Sequence, residues 1–62
     1  MSFVAILDEV EQLHSVSTRL EKLAEHHAPV TTQLLTIAGN VRSTATLLAV
    51  LVATKLQTPD SR

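Results

Sequence analysis

The chain has 62 residues, a formal net charge of −1, one phenylalanine, and no tyrosine, tryptophan or cysteine. A chain this short forms one small domain that buries only about 60% of its unfolded surface, and the lack of cysteine excludes disulfides and thiolate metal sites as its support. One glycine and two prolines leave room for about one interruption of regular structure, which excludes a multi-stranded fold and points to an all-α chain.

The first helix is expected over residues 2–27. Ser2 is its candidate N-cap, acid lies in its first half at Asp8, Glu9 and Glu11, and His26 and His27 stand at its end, in keeping with the helix dipole. Apolar residues at Phe3, Ile6, Leu7, Val10, Leu13, Val16, Leu20, Leu23 and Ala24 alternate in steps of three and four, the mark of one buried helical face. With Phe3 as heptad position a, Val10, Ser17 and Ala24 also fall at a, while Ile6, Leu13, Leu20 and His27 fall at d. That pattern predicts a mild left-handed supercoil of coiled-coil type. Asp8, Glu11, Gln12, Ser15, Arg19, Lys22 and His26 share the wet face.

Residues 28–30 form the turn. Pro29 disfavours helix at the residue before it and suits the first turn of the next helix. A link this short makes the two helices antiparallel neighbours, a helical hairpin.

The second helix is expected over 31–57, with 58–62 as a disordered polar tail. Its main apolar face holds Leu34, Ile37, Ala38, Val41, Ala45, Leu48, Ala49, Val52 and Leu56, and the alanines allow another helix to approach closely. Gly39-Asn40 has the composition of a helix end. The apolar phase nevertheless runs unbroken from Leu34 through Val41 to Leu48, so one continuous helix is expected. Close packing at Gly39 would offset the roughly 1 kcal/mol that glycine costs inside a helix.

Charge divides along the chain. Residues 1–29 carry Asp8, Glu9, Glu11, Glu21 and Glu25 against Arg19 and Lys22, a net −3; residues 30–62 carry Arg42, Lys55 and Arg62 against Asp60, a net +2. Opposite signs suit pairing of the two halves. Three scattered cations do not make the basic stripe of a nucleic-acid binder, so nucleic acid is not an expected partner.

The most apolar stretch, Ser43 to Thr54, is bounded by Arg42 and Lys55. At about 18 Å of helix it falls short of a hydrocarbon core of about 30 Å, so no transmembrane span is expected. The opening MSFVAILDEVE lacks a basic n-region and meets acid at Asp8, which makes the cytoplasm the expected location. Leu47, Val50 and Leu51 lie off the main apolar face, near Ser43 and Thr54 on a helical wheel. A helix apolar all round is buried all round, and a hairpin covers one side only. A second copy is the economical cover, giving a homodimer as a four-helix bundle, or a homotetramer. A different protein partner is the other candidate. The interface residues on this reading are Leu34, Val41, Leu47, Leu48, Val50, Leu51 and Val52.

Chemistry is sparse. His26 and His27 are adjacent and diverge by about 100° on a helix, His14 lies three turns earlier, no His-x-x-x-His spacing occurs, and Glu11-x-x-His14 stands alone without the partner motifs a carboxylate-histidine metal site uses, so no metal and no cofactor are expected. Ser15 and Ser17 flank His14 at spacings that diverge, and a hairpin has no deep cleft, so no enzyme is expected. The expected function is a non-enzymatic oligomerisation or protein-interaction module, with regulation as its candidate role. The alternative is an oligomeric ligand- or nucleotide-binding protein using an anion-receiving patch of Asn40, Arg42, Ser43, Thr44 and Thr46. Against that patch, Arg42 has a simpler partner in Glu21.

Overall fold

The computed structural model describes residues 2–57, and the expected tail at 58–62 lies outside them. Helix α1 spans Phe3–His26, a single 3-10 turn spans Ala28–Val30, and helix α2 spans Thr31–Gln57. The chain is all-α, with no strand among the described residues.

Each helix end is accounted for by its local sequence. Ser2 has extended backbone angles (φ −99°, ψ 136°) and its Oγ accepts the Val4 N–H at 3.0 Å, so it is the N-cap of α1. At the other end the last turn leaves carbonyls without intrahelical donors. His27 Nδ1 lies 2.8 Å from the Leu23 carbonyl, a bond that requires the proton on Nδ1. Thr31 Oγ1 donates to the Ala24 carbonyl at 2.7 Å, and the Val30 N–H donates to His27 O at 2.9 Å. Pro29, which brings no N–H, sits inside the 3-10 turn where none is needed. One turn therefore closes α1 and opens α2.

The helices run antiparallel, as three links show: Thr31 to Ala24 beside the turn, Ser17 Oγ to the Ala38 carbonyl at 2.9 Å, and Arg42 Nη2 to Glu21 Oε2 at 2.8 Å. The buried residues recur every seventh position: Val10, Ser17 and Ala24 on α1, and Ala38, Ala45 and Val52 on α2. Ser17, Ala38 and Ala45 are wholly inaccessible. A serine hydroxyl lies one bond beyond Cβ, so its bond to the backbone of α2 requires close approach, near the lower end of the usual 8–10 Å between helix axes. Three of the four heptad a positions of α1, Val10, Ser17 and Ala24, do face its partner, and none is larger than valine, whereas Phe3 is 40% exposed.

Gly39 plays no part in this seam. It is exposed, and a Cβ built on it meets nothing within 4 Å. The close packing expected at Gly39 is instead made by its neighbour Ala38. Helix α2 runs through Gly39-Asn40 without a break.

Candidate interaction surface

Helical geometry sorts the remaining side chains. At about 100° per residue, Leu13, Val16, Leu20 and Leu23 lie to one side of the α1 seam centred on Ser17. Val41, Leu48, Ile37 and Leu51 lie in the same rotational sense from the α2 seam centred on Ala45. In an antiparallel pair, equal rotational offsets come to the same side of the two-helix layer. The ion pair agrees with this: Glu21 and Arg42 are both offset the other way, by about 40° and 60°, and meet on the opposite side.

Both helices thus build one apolar face. Leu13, Val16, Leu20, Val41 and Leu48 are half-buried there; Leu23, Ile37 and Leu51 are about half exposed, and Leu47, 68% exposed, points outward beside Ser43. Among the described residues, the charged groups with this offset are Glu9 and Lys55, of opposite sign, at the open end; Arg19, offset by about 160°, points outward. The reverse side is mixed: His14, Thr18, Glu25 and Thr46 lie beside the Arg42–Glu21 pair, and Leu7 and Leu35, 40% and 48% exposed, share that offset toward the two ends of the layer.

The structure places the sequence-derived interface residues unequally. Leu34, Val41 and Leu48 line the border between seam and face, Leu51 stands on the face, and Leu47 points outward beside Ser43. Val52, 2% exposed, is enclosed between α1 and α2 and is closed to a second chain. Val50 is 54% exposed but points about 100° away from Leu51, toward the reverse side. The four α1 residues of the face were assigned from sequence to the hairpin core alone. They become visible as surface once the offset rule for antiparallel helices is applied.

The hydroxyl patch is not one surface. Arg42 and Thr46 lie on the reverse side, whereas Asn40 and Thr44 lie toward the apolar face and Ser43 points outward between them. The Thr44 and Thr46 hydroxyls donate to the Asn40 and Arg42 carbonyls of their own helix, at 2.9 and 3.1 Å. Such back-bonding hides threonine polarity within a helix. Open depressions are lined by Arg42, Ser43, Thr46 and Leu47, and by His14, Ser15, Thr18 and Arg19. Among the described residues, no group of three or more His, Asp or Glu side chains is placed to hold a metal ion.

One property of α2 reaches beyond the uncharged run bounded by Arg42 and Lys55. Upstream of Arg42 the helix is again uncharged, and Ala28–Leu56 is long and apolar enough to cross a membrane by length and composition. Its mean hydropathy reaches 1.5 over 18 residues, and only 17% of that window is buried. Comparison with known proteins gives no matching family model, no similar curated protein and no similar solved structure.

Proposed function

We propose that the chain is a small, non-enzymatic oligomerisation and protein-interaction module whose working surface is the apolar face built by α1 and α2. One observation carries this reading: none of the chain's ten leucines, two isoleucines or its phenylalanine is buried. The largest fully buried side chains are Val52 and Ser17. A 62-residue chain has little stability to spare, and its strongest source of it, burial of large aliphatic side chains, is only partly used within the chain, where Leu13, Leu20, Leu34 and Leu48 are half-buried. Contiguous exposed apolar surface of this kind marks an interaction site.

The test is a photo-reactive amino acid placed at Leu51, on the face, or at Ser43, on the outer side of the same helix, in cells producing the chain. Protein adducts should form from position 51 and not from 43. No adduct from 51 would refute the reading.

A second reading, membrane association, is favoured by the length and hydropathy of α2. It would place Arg42 and its partner Glu21 near the middle of the apolar layer, where ionisable groups are costly. Flotation with liposomes separates the two readings: under the interaction reading the chain stays in the dense fraction.

A further inference from the structure

We infer that the occupant of this apolar face is a second copy of the same chain, related by a two-fold axis and stacked layer on layer into a four-helix bundle. The inference rests on the interaction reading above and names its partner.

Area is the first argument. The chain exposes 4611 Å², whereas a compact protein of its 6.7 kDa mass exposes about 3,900 Å². Its radius of gyration, 15.0 Å, likewise exceeds the roughly 11 Å of a compact domain of this length. The excess surface is about 700 Å² per chain, close to the roughly 800 Å² that each partner of a standard stable interface buries. One body of the chain's own size and length is enough to cover it.

Self-complementarity is the second argument. A two-fold interface sets a surface against itself, so a face bearing charges of one sign repels its own copy. Here the two rim charges are Glu9 and Lys55, which cancel, and the rest of the face to the turn is uncharged. Leucine and β-branched residues from both helices meet their own kind along its length. The small-residue seam stays within each chain, because Ser17 and the alanines are already enclosed there.

Adjacent residues give the test. Leu51 and Val50 are similarly exposed, at 50% and 54%, yet lie on opposite sides of the layer. Light scattering and sedimentation of the purified chain should give twice the monomer mass at micromolar concentration. Leu51→Glu should weaken association at least 100-fold, and Val50→Glu less than 5-fold. Leu23→Glu, on α1, should act like Leu51→Glu, and helicity by circular dichroism separates dissociation from misfolding. A folded wild-type monomer would overturn the second copy as occupant, while adducts from position 51 to some other protein would leave the interaction reading standing. Equal effects of Val50→Glu and Leu51→Glu would overturn the assignment of the face.

Discussion

Replacing Ala45 by leucine should destabilise the chain, although it adds apolar volume at an interior position. Ala45 is wholly inaccessible, as are Ala38 and Ser17 nearby in the seam. Were there room, three extra carbons would contribute up to about 2.4 kcal/mol, at roughly 0.8 kcal/mol per buried CH₂. No room exists where a serine hydroxyl reaches the opposite backbone at 2.9 Å. The helices must move apart, at an overpacking cost of about 1–3 kcal/mol. The same movement breaks the Ser17–Ala38 bond, worth a further 0.5–1.5 kcal/mol or so. Urea titration followed at 222 nm reads the sum. With a slope near 1 kcal/mol per molar, the midpoint should fall by about 1.5–4.5 M. All samples need one chain concentration, because association is linked to stability. Ala53→Leu, an exposed site on the same helix, should change stability by no more than about 0.5 kcal/mol. An Ala45→Leu chain as stable as the wild type, or more so, would refute the close seam.

Gly39→Ala should stabilise by about 1 kcal/mol in the same titration, because the new methyl meets nothing within 4 Å and the glycine φ is not positive. Ser17→Ala should cost at most about 1 kcal/mol, the lost hydrogen bond being partly offset by alanine's better helix propensity. The Ala38 carbonyl keeps its helical donor, so no buried acceptor is orphaned. Arg42→Ala should cost less than about 1 kcal/mol, and the difference should shrink in high salt, because both partners of its ion pair are more than 40% exposed. Thr31→Val should cost about 1 kcal/mol by freeing the Ala24 carbonyl, read as a lower urea midpoint.

The helices and their turn were legible because each signal was local. Ser2 caps, Pro29 opens the second helix, and the apolar phase passes through Gly39 undisturbed. The pairing of Arg42 with Glu21 was also legible, since the two halves of the chain carry opposite charge. What the sequence hid was which apolar residues go inside. A helical wheel ranks residues by hydrophobicity and so centres the buried face among leucines. The structure centres it on Ser17, Ala38 and Ala45, because distance between backbones, and not side-chain size, decides what lies between two helices. Val50 was grouped with Leu47 and Leu51 for a related reason. A wheel shows that all three lie off the main face, but only a placed neighbour shows that they lie on different sides of it.

The small seam and the exposed leucines have one cause. Positions 10, 17 and 24 and positions 38, 45 and 52 share a single heptad phase that carries across the turn, through Thr31. Small residues at that phase let the backbones approach until a hydroxyl bonds across the gap. Helices this close leave no space between them for a leucine, so Leu13, Leu20, Val41 and Leu48 are displaced to the flank, where each is covered on one side only. Widening the seam to take those leucines in would forfeit the Ser17–Ala38 bond and the alanine contacts. The chain therefore cannot hold its close pairing and also bury its large aliphatic side chains by itself. Burying them requires a second layer, and a close, flat two-helix layer presents the surface on which one can stack.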